Sequence, residues 1–357
     1  MDAPPVNHSR ERVLRTFHFQ ATDRSPYDLM EGCIWPELVD YFRTRHGLET
    51  PEQVLQFLDP DFRWAFLRYT GPLSESSEPP PEADKGTSKN VATGPLARAA
   101  SAADIQRYPW PDPTHFQPGD FLALRRQFPD KALVLCPGWM PLFWTACELF
   151  GMETALVNLL QQPRLFDALI RRQHEVVMDI LTRSARAARG ICDLAWLGDD
   201  FAGQHGMIIS PTLWRRHIKP YLAEQVRVLR ENDLLVLFHS CGAVRPILPD
   251  LIEIGVNALL VFQTTAQGMD APSIAKEFGG RLVFYGGIDV QQVLSSGDPE
   301  QVRAAVRANQ QAFAHCGGYI VANSHHSIPT IRGENILAMC RAAQASLIEG
   351  VSENDSR

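Results

Sequence analysis

Short, fully apolar runs alternate with amphipathic helical patterns over the C-terminal two thirds of the chain. From residue 117 onward, the apolar runs cover 132–136, 191–197, 234–238, 258–262, 282–285 and 319–322. An apolar run of this length predicts a strand that is buried on both faces, as in a parallel sheet. The segments between these runs predict helices at 141–158, 163–188, 211–231, 244–254, 271–278, 299–315 and 334–348. Repeated strand–helix units predict a parallel sheet with right-handed crossovers.

The first 116 residues follow a less regular pattern. Apolar periodicity predicts helices at 9–20, 35–45 and 51–58, and short apolar segments predict a first strand at 27–30 and a further strand at 64–69. Residues 74–94 are rich in Pro, Ser and charged residues, so we expect a mobile loop there. We expect a disordered tail at 350–357.

The strand count favours a closed barrel. Six apolar runs and the strand at 27–30 make seven strands, and the irregular region supplies an eighth. We therefore predict one domain over 1–357 with the fold of an α/β (β/α)8 TIM barrel, which carries N-terminal helical and irregular additions. An open Rossmann-type sheet is the competing fold, but no GxGxxG motif follows any predicted strand.

Composition and charge exclude several classes of protein. The 357 residues are 45% hydrophobic and 21% charged, with a net charge of −7 and no Lys/Arg cluster, so we expect no nucleic-acid partner. No apolar run approaches the roughly 20 residues of a membrane span, and the N-terminus lacks the pattern of a signal peptide. The seven Cys residues are scattered without a CxxC pair. This pattern predicts a reducing, cytoplasmic location.

The strongest chemical signal follows the apolar run 234–238, where the chain reads His239-Ser240-Cys241-Gly242. Residues i and i+2 of a strand point to the same side, so the imidazole of His239 and the thiol of Cys241 can converge on one ion. Nitrogen and sulfur are ligands that Zn²⁺ prefers. The competing interpretation is a buried strand-end His beside a small apolar Cys.

The other predicted strands also end in polar residues. In a barrel these ends meet at one face, where active sites lie. His325 or His326 would complete a three-ligand metal site, and Asp199 or Asp200 would handle a proton. Cys316 precedes its strand, so we expect it at the opposite end of the barrel in a structural role.

Three further residues near predicted strand ends are candidates for substrate binding. Gln263 and Asp289 follow their strands directly and would orient a substrate. Trp139, with Trp144 and Phe143, would supply an aromatic wall, although core packing explains at least two of these three side chains better.

Motifs distributed over nearly the whole chain resemble the uroporphyrinogen decarboxylase superfamily. The matching segments are 10–14 with 23–26, 108–112, 198–200, 209–211 with 218–221, 238–242, 285–289, 317–320 and 334–336. This resemblance implies a (β/α)8 barrel with its active-site residues at the carboxyl face, and a homodimer would be usual for the superfamily.

Two activities compete within that superfamily. Decarboxylases that act on the tetrapyrrole hold its carboxylates with an Arg-rich segment after the first strand, whereas residues 29–35 here contain Glu31 and no Arg. The other branch comprises zinc-dependent methyltransferases, whose His-x-Cys pair matches His239 and Cys241. Their third ligand is typically a Cys, and that position falls at or next to His325.

The resemblance to the second branch therefore implies a zinc site and a corrinoid (cobalamin) carried by a partner protein. The implied activity is transfer of a methyl group from a small O-, N- or S-methyl donor to a corrinoid protein, or from a corrinoid to a thiol. A site with two His and one Cys carries less negative charge than one with one His and two Cys, which favours demethylation of the donor.

Two alternatives remain open at this point. One is a metal-free decarboxylase of a carboxylated substrate, with Asp199 or Glu31 as the key group. The other is a non-catalytic barrel whose polar strand ends hold a ligand. For the methyltransferase itself, Glu31 and His326 are further candidates for substrate binding.

Overall fold

The computed structural model describes residues 8–32, 34–72, 93–326 and 328–345, and within these ranges it contains ten strands. The strands are β1 (Phe62–Tyr69), β2 (Phe116–Pro118), β3 (Ala132–Cys136), β4 (Leu194–Gly198), β5 (Ala202–Gly203), β6 (Gly206–Met207), β7 (Leu235–His239), β8 (Ala258–Phe262), β9 (Val283–Ile288) and β10 (Tyr319–Asn323). Residues 74–92 of the predicted mobile loop and the predicted tail at 350–357 lie outside the described residues.

Seven of these strands form one parallel sheet in the order β1-β3-β4-β7-β8-β9-β10. The segment at Tyr27 closes the sheet, because it forms a parallel bridge with Val321 of β10 and its carbonyl accepts the N–H of Asp61, which directly precedes β1. The predicted (β/α)8 barrel is therefore confirmed. The short strand β2 pairs antiparallel with the end of β1.

Helices connect consecutive strands and cover the outside of the barrel. They are α1 (Ser9–Phe17), α2 (Pro36–His46), α3 (Pro51–Leu58), α4 (Ala102–Arg107), α5 (Phe121–Gln127), α6 (Phe143–Phe150), α7 (Met152–Gln161), α8 (Pro163–Ala188), α9 (Pro211–His217), α10 (Lys219–Glu231), α11 (Leu248–Glu253), α12 (Ala271–Phe278), α13 (Pro299–Phe313) and α14 (Gly333–Gln344). Within the described ranges, none of the helices has both the length and the apolar character that crossing a membrane requires.

Two predicted helices are each divided in two. The helix predicted at 141–158 breaks at Gly151, which has a φ of +83° and separates α6 from α7. The helix predicted at 211–231 breaks before Pro220, which has no N–H to continue the hydrogen-bond ladder of α9.

The predicted strand at 27–30 shortens to the single bridge at Tyr27, because residues Met30–Gly32 form a 3-10 turn. A buried ion-pair group holds this segment in place. Asp61 is fully buried, accepts the N–H of Tyr27 at 2.9 Å and pairs with Arg12 and Arg24 at 2.8 Å each.

Alternating side chains of the strands divide the core into two layers. One layer fills the barrel interior and includes Trp64, Trp196, Leu237 and Tyr285. The other layer packs the outer face of the sheet against the helices. Because the interior is filled with side chains, a ligand is expected only above the carboxyl ends of the strands.

Candidate metal centre

His239 and Cys241 converge at the carboxyl end of β7, as the sequence predicts. Cys241 Sγ lies 3.7 Å from His239 Nε2. Asp200, which follows β4, completes the group: its Oδ1 lies 3.8 Å from His239 Nε2 and accepts the N–H of Cys241 at 2.8 Å. The oxygen, nitrogen and sulfur atoms with which these residues could bind a metal ion all lie within 4.8 Å of one another. His239, Cys241 and Asp200 are therefore termed the metal group.

The environment of His239 keeps its imidazole neutral. The residue is 2% exposed, and burial lowers its pKa to about 4, although the nearby Asp200 carboxylate raises it. Two indole rings pack edge-on against the imidazole, with centroid distances of 5.2 Å to Trp139 and 5.9 Å to Trp196. A neutral imidazole is the form that a metal ion requires.

His325 and His326 lie beside this group without joining its closest set. Their ring centroids are 6.3 and 6.2 Å from that of His239. The turn that carries them is fixed by Asn323, which is fully buried, accepts the N–H of Met30 at 2.9 Å and donates to the carbonyl of His325 at 2.6 Å.

Asp199 anchors a helix instead of facing the metal group. Its two oxygens accept four backbone N–H groups at 2.7–3.0 Å, those of Asp200 and of Leu142, Phe143 and Trp144 at the start of α6. Burial raises the pKa of Asp199 to about 7, and the backbone donors oppose that shift. The structure thus leaves Asp200 as the carboxylate that faces His239 and Cys241.

The loop that Asp199 anchors carries Trp139, whose indole lies directly on Gly198 of β4. A Cβ atom at Gly198 would stand 2.6 Å from Cζ3 of Trp139, so the close approach depends on glycine at this position. Trp139 is 41% exposed and presents its outer surface at the mouth of the barrel. Its predicted contact with a substrate stays a prediction.

A cavity of about 330 Å³ opens beside Cys241, and Gln263, Asp289 and His325 line it. Asp289 also closes the turn after β9, because its carboxylate accepts the N–H of Gln291 at 3.4 Å and of Gln292 at 2.7 Å. The side chain of Glu31, the remaining substrate-binding candidate, lies outside the described part of the structure.

Gly242 lets the hairpin β5–β6 pack against the metal group. It has a φ of +80°, and a Cβ there would stand 2.5 Å from the carbonyl oxygen of Gly203 and 2.7 Å from that of Ala202. The hairpin places Gln204 against Gln263. Sequence reasoning missed Gln204, and the glycine directly after Cys241 was the one signal of a close backbone approach.

Comparisons with known proteins agree with this fold. The family model described as Uroporphyrinogen decarboxylase (URO-D) matches residues 123–346. A solved methyltransferase from Methanosarcina mazei is 17% identical, with a TM-score of 0.63, and the match covers 95% of this chain and 98% of that one.

A D-psicose 3-epimerase from Clostridium cellulolyticum H10 is 11% identical over 69% of this chain and 85% of its own, and its TM-score of 0.36 supports no argument about function. No curated protein sequence matches the chain. Because the family model spans more than half of its residues, the chain belongs to the uroporphyrinogen decarboxylase (URO-D) family.

Proposed function

We propose that this protein is a zinc-dependent methyltransferase, which moves a methyl group from a small O-, N- or S-methyl donor to a corrinoid protein, or from a corrinoid to a thiol. The observation that carries the proposal is the close group of His239, Cys241 and Asp200 at the mouth of the barrel. The fold similarity to the methyltransferase from Methanosarcina mazei supports it by analogy.

The donor set fits zinc. One imidazole nitrogen, one thiolate sulfur and one carboxylate oxygen are all common zinc ligands, and His239 is neutral as coordination requires. His239 and Cys241 would supply two ligands, and Asp200 or His325 the third. His326 is the less favoured candidate, because His325 shares the cavity wall with Cys241.

The identity of the third ligand sets the direction of transfer. With His325 the site carries one negative ligand, from Cys241, which favours polarising the donor and removing its methyl group. With Asp200 it carries two, which favours a nucleophilic thiolate and hence methylation of a thiol. The preference for demethylation that the sequence suggests therefore depends on His325.

Zinc in this site would act as a Lewis acid that lowers the pKa of a bound thiol or polarises a bond to a bound heteroatom. In demethylation, the bond between the methyl carbon and the heteroatom would break, and the methyl carbon would form a bond to the reduced corrinoid of the partner protein, which supplies the electron pair of the new bond. The heteroatom would keep the electron pair of the broken bond and, in an ether donor, would take up a proton. When His325 is the third ligand, Asp200 is placed to relay that proton. Trp139 shields one side of His239 from water.

The charge of the cavity argues against the decarboxylase alternative. A receptor for a tetrapyrrole with many carboxylates needs several cations, because Arg and Lys are the groups that pair with carboxylates. Among the described residues that line the cavity, none is Lys or Arg.

The metal content of protein purified without chelator tests this proposal. We expect about one zinc ion per chain in the wild type, and a loss of most of it in His239→Ala and Cys241→Ser. His315→Ala is the matched control, because His315 is exposed just after α13. This variant should bind as much zinc as the wild type.

Comparison of Asp200→Asn with His325→Ala then identifies the third ligand, because only the variant that lacks it should lose zinc. Wild-type protein with far less than one zinc per chain, or full zinc in His239→Ala, would show that the proposal is wrong. Methyl transfer to added reduced cobalamin, followed by its absorbance spectrum, tests the reaction itself.

A further inference from the structure

Strand β8, which pairs with β7 beside His239, contains a strained bulge near its carboxyl end. Its pairing with β9 shifts register between Leu260, which faces Tyr285, and Phe262, which faces Gly286. Val261 between them has a φ of +71°. Valine is β-branched and rarely adopts this left-handed region, and such strain is typically kept where function needs it.

The bulge changes which side chains face the mouth of the barrel. Leu260 and Val261 both belong to the interior layer, whereas Phe262 packs outside, with ring centroids 5.1 Å from Phe284 and 5.9 Å from Phe313. In an unbroken strand, strict alternation would turn Phe262 to the mouth and Gln263 to the helices. The bulge thus brings Gln263 to the cavity wall, which is the re-aiming that bulges near active sites achieve.

The side-chain amide of Gln263 is held in one orientation. Its Oε1 accepts the backbone N–H of Gly242 at 3.0 Å and the amide of Gln204 at 2.7 Å. A backbone N–H can only donate, so the oxygen must lie on this side and Nε2 on the other. Gln263 is 8% exposed, and its Nε2 finds no acceptor among the described residues.

We propose that Gln263 is a specificity-determining residue, whose Nε2 donates a hydrogen bond to a carbonyl or carboxylate oxygen next to the reacting carbon of the ligand. An ammonium group of the ligand at this position would place its N–H donors against the N–H donors of Nε2, and neither group would find an acceptor. The carboxylate of Asp289 lies on the same cavity wall and keeps acceptor sites for a cation after accepting two backbone N–H groups, so the discrimination against an ammonium group applies only at the position that Nε2 reaches. The substrate class is therefore a methyl donor or acceptor that bears a carbonyl or carboxylate oxygen at that position.

This inference rests on the proposed function only in taking the ligand to be a methyl donor or acceptor, and the test avoids zinc and corrinoid. Full-length protein, kept in chelator, is alkylated at Cys241 with iodoacetamide, iodoacetate or 2-bromoethylammonium. In each case the thiolate sulfur forms a bond to carbon and the halide leaves with the bonding pair. The alkylation rate at Cys241 is divided by the alkylation rate at Cys316, which is not among the residues that line the cavity. This ratio corrects for the intrinsic reactivity of each reagent.

We expect the two reagents with an oxygen acceptor to favour Cys241 over Cys316 more than 2-bromoethylammonium does. Gln263→Leu should lower the ratio for iodoacetamide about fivefold, as expected for the loss of one hydrogen bond. Gln291→Leu is the matched control on the same wall of the cavity and should change it less than about twofold.

Gln263→Glu keeps the acceptor for Gly242 and Gln204 but cannot donate, so it carries the test if Gln263→Leu does not fold. It should lower the ratio for iodoacetamide about as much as Gln263→Leu does, and the ratio for iodoacetate at least tenfold. Equal effects of Gln263→Leu and Gln291→Leu, or no preference for acceptor-bearing reagents in the wild type, would overturn the proposal. Neither result depends on whether the protein binds zinc.

Discussion

The strained backbone at Val261 predicts that replacing this residue with Ala or with Gly destabilises the protein by nearly the same amount. Val261 is 1% exposed in the barrel interior and has a φ of +71°. Val283 on the neighbouring strand β9 is fully buried in the same layer and is not among the residues with positive φ. The two valines therefore share burial and side-chain volume and differ in backbone conformation, so Val283 serves as the matched control.

The expected free-energy changes follow from that difference. Val→Ala removes two buried carbons at either position and should cost about 2 kcal/mol. Ala→Gly at Val283 removes one more carbon and adds backbone entropy to the unfolded chain, which together cost about 1.5 kcal/mol. At Val261 the left-handed backbone favours Gly over Ala by about 1–2 kcal/mol, so the two terms nearly cancel.

Urea unfolding of the four variants measures the difference in stability between the Ala and the Gly variant at each position. We expect Val261→Gly and Val261→Ala to have midpoints that differ little, whereas Val283→Gly should unfold at clearly lower urea than Val283→Ala. An Ala–Gly gap at position 261 as large as that at 283 would refute the strained bulge, and with it the reason that Gln263 faces the cavity.

Two further predictions concern buried carboxyl groups. Asp199→Asn places an amide NH2 opposite backbone N–H donors and should lower the free energy of unfolding by about 3 kcal/mol. The control Asp298→Asn, at the exposed N-cap of α13, should lower it by less than about 1 kcal/mol. Equal losses of the two variants in urea unfolding would contradict the anchoring role of Asp199. Burial raises the pKa of Asp28 to about 7, although the Tyr285 hydroxyl and the Trp64 indole donate to it and oppose the shift. An unfolded Asp ionises near pH 3.9, so the folded state binds the extra proton and Asp28 should make the protein less stable as pH rises from about 4 to 7, by roughly 4 kcal/mol. Asp28→Asn should remove that dependence, and a stability difference from the wild type that stays constant with pH would contradict it.

Local patterns predicted much of the barrel. The helices at 51–58, 163–188 and 271–278 and the strands at 132–136 and 258–262 have the bounds that the sequence indicates. Hydrophobic period and capping residues depend on near neighbours in the chain, which is why they are readable without the fold. The convergence of His239 and Cys241 was predictable for the same reason, because side chains two apart in a strand share a face.

The position of Asp200 beside this pair could not be predicted in this way. Asp200 follows β4, and it meets Cys241 only because β4 and β7 are neighbours in the closed sheet. Asp199 is adjacent to it in sequence, yet its oxygens are taken by the start of α6, more than 50 residues away. Pairs so distant in the chain are brought together by strand order, which no local pattern encodes.

The residues that line the cavity could be predicted from the sequence only in part. The sequence placed Gln263 after a strand, but strict alternation would have turned it towards the helices. The register shift at Val261 reverses that direction, and register is set by how β8 packs against β9. The sequence therefore determines which side chains are available at the mouth of the barrel, while the pairing of strands determines which of them face one another.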